Sequence, residues 1–276
     1  MEKLIINAAL TGIVPTKADN PHVPVTPREI AVDARRCYEA GAAIVHLHTR
    51  DQDGRPSYQA SFYREIIVAV KSKCPQLIIC VSTSGRIFTS FQDRSEVLDL
   101  DDDCKPDMAS LTLGSMNFPQ QASVNAPDMI QQLAEKMLAR GIVPELEIFG
   151  MGMLDYAKYL ISKNILRHTL YFNLFLGSLG TLSATPLNLA MMVNSLPPGC
   201  TWAATGIGQF QFFVNSMAIT LGGHVRVGLE DNLYYDTAKQ RPASNPGLVE
   251  RLSKLASAAG RETASPAEAR KIIGLV

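Results

Sequence analysis

Two histidines with one leucine between them, His46 and His48, close the apolar run in "AAIVHLHTRDQDGRPS" just before it breaks into a polar turn. Residues i and i+2 of a strand project to the same face, so the two imidazoles stand side by side. Neutral imidazoles paired in a mostly apolar setting suit a divalent metal. The plainer alternative is a pair of core histidines bonded to backbone. A metal needs a third protein ligand, and "GGHVRVGLEDNLYY" supplies a candidate. There His224, Arg226, Gly228 and Glu230 share one parity, and Glu230 falls where a strand gives way to loop. Two histidines and one glutamate with one position open form a catalytic rather than a structural zinc arrangement. The open position would bind and polarise a carbonyl or a water. Asp231 follows directly, although paired acidic residues after a strand also serve as helix caps.

Other apolar runs end in polar groups. "CVSTSGR" contributes Ser82, Thr83, Ser84 and Arg86; "MASLTLGSMNF" puts Ser110 and Thr112 on one face; "VPELEIF" does the same with Glu145 and Glu147. A barrel interior filled only for stability would use Val, Ile and Leu, so hydroxyls and carboxylates at several strand ends look like a site. Each alone is weak, since a serine after a strand is commonly a turn or cap residue.

These residues need a scaffold that gathers strand ends. Eight short β-branched runs are predicted as strands: Leu4–Ala9, Ala43–His48, Leu77–Val81, Met108–Thr112, Val143–Ile148, Leu170–Phe175, Thr201–Ala204 and Val225–Leu229. Segments of helical period lie between them. "TPREIAVDARRCYEAG" opens on Thr26 as N-cap with Pro27 and Glu29 behind it and closes on Gly41; "APDMIQQLAEKMLARG" closes on Gly141. Eight strand–helix units in a chain of this length predict an α/β fold, a single-domain (β/α)8 TIM barrel over 1–276, with its active-site mouth at the C-terminal strand ends. The eighth strand is expected to lie opposite the third and fourth more than the second, so the length of Glu230 must carry it to the axis. A doubly wound open sheet is the runner-up, but no GxGxxG or GxxxxGK[ST] follows the first strand.

Composition narrows the function classes. The 276 residues are 46% hydrophobic, enough for a sizeable core, and 26 basic residues balance 26 acidic ones. No basic excess points to nucleic acid. No apolar run approaches the roughly 20 residues a membrane span needs, and "MEKLIINAAL" lacks signal-peptide architecture. Five scattered cysteines without a CxxC predict reduced thiols in a cytoplasmic protein.

"NAALTG", "HLHTRDQDGRPS", "STSGR", "VPELEIF" and "GGHVRVGLEDNLYY" with "SNPGLVERL" together resemble the β-keto acid cleavage enzymes, from Ile5 to about Gly274. The resemblance implies a TIM barrel with one zinc per subunit, assembled as a homotetramer. It implies a transferase reaction in which a β-keto acid and acetyl-CoA, the cosubstrate, give acetoacetate and a new acyl-CoA. It maps the zinc ligands onto His46, His48 and Glu230. Asp231 is then the base, held by Arg226, with Ser82 and Glu147 as further catalytic groups. Ser110, Thr112, Thr83, Val14 and Arg86 fall among substrate-binding positions.

Departures from the family's lysine-fermentation member, the 3-keto-5-aminohexanoate cleavage enzyme, bear on the substrate. Val14 stands where that member has an acidic residue that meets the substrate amino group. A valine cannot pair with an ammonium, and a buried unpaired cation is costly, so an uncharged tail is expected near Val14. Ser84 and Arg86 replace glycine and alanine; Arg86 would meet an anionic tail, a CoA phosphate or only a surface partner. The glycine-containing "FLGSLGTLSATP" is a weak candidate for approaching CoA phosphates. An amidohydrolase-like metal-dependent hydrolase also uses HxH in a barrel, but on the first strand and with further histidines on the fifth and sixth. Here His168 precedes the sixth strand instead of ending it. A barrel that binds metal or acyl-CoA without turnover is the non-enzyme alternative.

Overall fold

A computed structural model describes residues 2–167 and 170–275, so His168 lies outside the described residues. Eight strands form the barrel: β1 (Ile6–Ala9), β2 (Ile44–Leu47), β3 (Ile78–Val81), β4 (Met108–Thr112), β5 (Val143–Ile148), β6 (Tyr171–Leu176), β7 (Thr201–Gly206) and β8 (His224–Val227). All pairings are parallel, and the sheet closes in the order β1-β8-β7-β6-β5-β4-β3-β2. As expected, the eighth strand lies opposite the third and fourth more than the second. Only β1 separates β8 from β2, and β4 lies across the barrel. Glu230 need not cross the axis to reach the histidines.

Alternation along each strand sorts the side chains. Outward-facing residues such as Ile6, Ala8, Val45, Leu47, Ile79, Val81, Leu111, Leu146 and Phe172 join one large core beneath the helices. Inward-facing ones make layers. Ile5, Ile44, Ile78, Met108, Tyr171 and Ala203 fill the N-terminal end of the barrel, closed from below by Ala269 and Ile273. The next layer toward the mouth is polar: Asn7, His46, Ser110, Glu145, Asn173 and Arg226, all at most 2% exposed. Polar groups buried this deeply need partners: Asn7, His46, Asn173 and Arg226 meet Glu145, and the Ser110 hydroxyl accepts the Thr83 N–H.

The helices follow the start and stop signals. Those flanking the barrel are α1 (Pro27–Glu39), α2 (Ala60–Lys73), the short α3 (Phe91–Ser95), α4 (Pro127–Arg140), α5 (Met151–Ser162), α6 (Pro186–Asn194), α7 (Gln211–Thr220) and α8 (Asn245–Ala258). A ninth, α9 (Pro266–Ile273), supplies Ala269 and Ile273 to the barrel floor. Thr26 and Glu29 form a reciprocal capping box at the start of α1, and α4 ends at Gly141. Two small antiparallel pairs, Thr49–Arg50 with Pro56–Ser57 and Met116–Asn117 with Ala122–Ser123, rise from the loops after β2 and β4. The hydrophobic runs alone did not signal them, because two-residue strands carry no period.

Candidate active site

Strand ends deliver the ligating groups. His46 is inside β2 and His48 one residue beyond it, and their Nε2 atoms face each other at 3.3 Å. Glu230, three residues past β8, brings Oε1 to 3.1 Å from His48 Nε2 and Oε2 to 3.8 Å from His46 Nε2. Gly12 makes room for it: a Cβ there would sit 2.7 Å from Glu230 Cγ, and its φ of +69° suits glycine.

Behind the histidines stands a residue whose importance the sequence did not convey. Glu145 is fully buried, with Oε2 2.8 Å from His46 Nδ1. Asn7 and Asn173 donate to its other oxygen at 2.7 and 3.0 Å, and the Cys80 thiol donates to Oε2 at 3.3 Å. A carboxylate on Nδ1 fixes the proton there and leaves the Nε2 lone pair for a metal. Burial alone would raise the Glu145 carboxyl, but His46 and then Arg226 hold it down at about 2.

Arg226 is the hub. Its guanidinium lies 2.8 Å from Glu230 Oε1, 2.9 Å from Asp231 Oδ2, and 3.7 Å from both Glu145 and Glu147. Burial pushes Glu147 up to about 7, and the neighbouring Glu145 adds to the rise against the pull of Arg226. The Thr112 hydroxyl donates to Glu147 at 2.5 Å. Burial also raises Asp231 above the usual carboxylate range, partly offset by Arg226. For Glu230, Arg226 and the two histidines outweigh burial and hold the carboxyl well below its ordinary value.

The donor set fits a divalent metal. His46, His48 and Glu230 each offer an atom within 4.8 Å of the others, and Glu230 Oε2 is buried with no hydrogen-bond donor. Even with Glu147 protonated, three carboxylates face one guanidinium, leaving negative charge that a cation would balance.

These groups open into a cavity of about 390 Å³ at the barrel mouth. His46, His48, Ser82, Glu147, Glu230 and Asp231 line it, with Val14, Ser84 and Arg86 further out. Ser110, Thr112 and Thr83 do not. Thr83 donates its N–H to Ser110 Oγ and its hydroxyl to the Ser110 carbonyl, which ties the ends of β3 and β4 together. Ser178, in the glycine-containing loop after β6, reaches the cavity wall. His224 is remote from the site despite its parity: its Nδ1 accepts the Ile5 N–H near the barrel floor. Arg50, in the HxHxRD stretch, donates to the carbonyls of Gly12, Ile13, Pro15 and Gly54, pinning the loop that carries Val14.

The fold and site thus define a parallel β/α barrel with a histidine–histidine–carboxylate cluster at its catalytic mouth. Residues 3–275 match the family described as beta-keto acid cleavage enzyme. A 3-keto-5-aminohexanoate cleavage enzyme of Fusobacterium nucleatum is 41% identical over 276 residues, covering 100% of this chain and 99% of that one. A 3-oxoadipate:acetyl-CoA acetyltransferase of Cupriavidus necator is 36% identical over 274 residues, covering 98% and 94%. The solved apo structure of ObcA superposes with a TM-score of 0.80 at 24% identity, covering 92% of this chain and 66% of that longer one, a likeness of fold. The chain belongs to the beta-keto acid cleavage enzyme family, whose members join β-keto acid cleavage to acetyl-CoA transfer.

Proposed function

We propose that this chain is a zinc-dependent enzyme that converts a β-keto acid and acetyl-CoA into acetoacetate and a new acyl-CoA. The observation that carries the reading is the convergence of His46, His48 and Glu230 beside the Arg226–Asp231 pair in one cavity. His46, His48 and Glu230 would hold the metal, which when bound supplies a Lewis acid for the substrate's carbonyl oxygen.

The remaining work falls to the chain's own groups. Asp231 accepts a proton from C2 of the keto acid; its raised pKa makes it a competent base, and Arg226 fixes the carboxylate through Nε and Nη2. The C2 carbanion attacks the acetyl thioester and expels the CoA thiolate. That thiolate adds to C3, the C2–C3 bond breaks, and the released C2 is reprotonated as acetoacetate while the former acyl group leaves on CoA. Glu147, pushed up to about 7, can hold a proton at neutral pH for this exchange, and the Ser82 hydroxyl on the cavity wall is the donor proposed for the substrate carboxylate. Ser110, Thr83 and Thr112 act by positioning Ser82 and Glu147.

Val14 at the cavity wall argues against an ammonium tail, so 3-keto-5-aminohexanoate is not the expected substrate. The exposed apolar side chains Leu179, Leu187, Phe212 and Phe213 support the tetramer implied by the family, since surface of this kind is covered in assemblies. The free cysteines, four of them buried, accord with a reducing cytoplasm. No observation favours the hydrolase reading.

Asp231→Ala tests the proposal. Zinc content should remain one per subunit while acyl exchange falls about 10²–10⁴-fold, the usual contribution of a positioned base. Activity within a few-fold of the parent, or loss of metal along with activity, would contradict the assignment.

A further inference from the structure

The cavity contains a cation with nothing to neutralise it. Arg86 lines the wall, yet its side chain has no hydrogen bond or ion pair among the described residues, and its Nε is buried without a partner. Other buried arginines have side-chain partners, even where Arg226 Nη1 and Arg50 Nε lack a hydrogen bond: Arg226 faces four carboxylates, Arg50 donates to backbone carbonyls, Arg94 to Thr83, Val124 and Asn125, and Arg261 to backbone carbonyls. A half-buried guanidinium left unpaired is costly. Burial draws the Arg86 pKa below the usual arginine range, with only the charge of Glu230 pulling it back.

The charge is also held in place. Gly85 packs so closely that a Cβ there would lie 2.5 Å from the Val124 carbonyl oxygen and 2.6 Å from Arg94 Nη1. The Arg86 N–H donates to Ser84 Oγ, and Gln121 Nε2 donates to the Arg86 carbonyl at 3.2 Å. The guanidinium itself lies over Phe118, 4.1 Å from the ring centroid.

From there an aromatic wall runs back to the reacting centre. Phe118 meets Phe149 edge-on at 5.9 Å, Phe149 stacks on Phe175 at 4.3 Å, and Phe175 lies under Arg226 at 5.0 Å. The substrate's own carboxylate and keto group belong at the inner end. Beyond them the wall offers apolar contact and then an unpaired positive charge. Building on the β-keto acid reading, we propose that the substrate is a β-keto dicarboxylic acid, whose methylene tail crosses the three rings and whose distal carboxylate pairs with Arg86. The new thioester would then be the mono-CoA ester of a shorter dicarboxylic acid. Lys239, which also lines the cavity without an ion pair among the described residues, is exposed at the rim without aromatic backing and is better placed for CoA phosphates.

The test compares zinc-loaded parent and Arg86→Gln on 3-oxoadipate, with its anionic tail, and 3-oxohexanoate, a neutral tail of equal length. The ratio of kcat/KM values, anionic over neutral, should fall about 10- to 100-fold in the variant, as expected for losing one charge-assisted contact, and Arg86→Lys should recover part of it. A ratio left unmoved would overturn the proposal. If instead the KM for acetyl-CoA rises while the ratio holds, Arg86 serves a CoA phosphate. Calorimetric binding of the same two acids without acetyl-CoA separates this inference from the reaction itself. Tighter binding of 3-oxoadipate that Arg86→Gln abolishes sustains it even where turnover is absent; equal binding of both acids sinks it.

Discussion

The residues proposed to hold a metal are the ones the sequence displayed most openly. His46 and His48 are read from a spacing of two, and Glu230 from the parity of its strand. Glu145 was read only as one of two carboxylates on a face. Its value comes from partners 138, 99, 65 and 28 residues away in the chain, Asn7, His46, Cys80 and Asn173. No local pattern encodes such a network. It carries a prediction: Glu145→Gln loses the anion that orients His46, and zinc affinity should drop about 10- to 100-fold, the typical effect of removing an outer carboxylate. Competition against a chromophoric chelator measures this, and an unchanged affinity would mean that His46 is oriented by other means.

Parity along a strand tells which face a side chain takes but not how deep in the barrel it lies. Ser110, Thr112 and Thr83 therefore looked like cavity residues and prove to tie strand ends together below it. Apolar periodicity placed all eight strands, with ends shifted by at most two residues, because ladder pairing rather than hydrophobicity decides where a strand stops. Helix α1 offers a test at this scale. Its Asp33 accepts a 2.6 Å hydrogen bond from Asn245 Nδ2 at the start of α8, and burial pushes its carboxyl up to about 6. The folded state thus binds a proton more tightly than the unfolded chain. Stability is fully present below the unfolded value near 3.8 and is lost as pH rises through 6. Subtracting the urea-unfolding free energies of Asp33→Asn from those of the parent should show the parent losing up to about 3 kcal/mol between pH 4 and 7. A difference flat across that range would contradict the buried carboxyl.

For the whole molecule, balanced charge and an uninterrupted strand–helix rhythm made a barrel the natural reading, and closure of β1 onto β8 completes it. Closure sets β2 and β8 on either side of β1, so that residues 182 positions apart, His48 and Glu230, touch. Strand order of this kind follows from the closed sheet and not from any one segment, and the place of the eighth strand across from the third and fourth was legible only once closure was assumed. The cavity wall was less legible still, because Phe118, Phe149 and Phe175 come from three separate loops and strands and assume meaning only when stacked.

Isotope labelling that follows the acetyl carbons through the reaction separates acyl exchange from hydrolysis. Zinc-loaded protein would receive acetyl-CoA carrying ¹³C in both acetyl carbons, together with unlabelled 3-oxoadipate and 3-oxohexanoate in separate reactions. Acyl exchange should give acetoacetate labelled at C3 and C4 only, an equal amount of unlabelled acyl-CoA from the keto acid, and neither product after chelation. Unlabelled products, or free acids without a new thioester, would contradict acyl exchange and indicate hydrolysis instead.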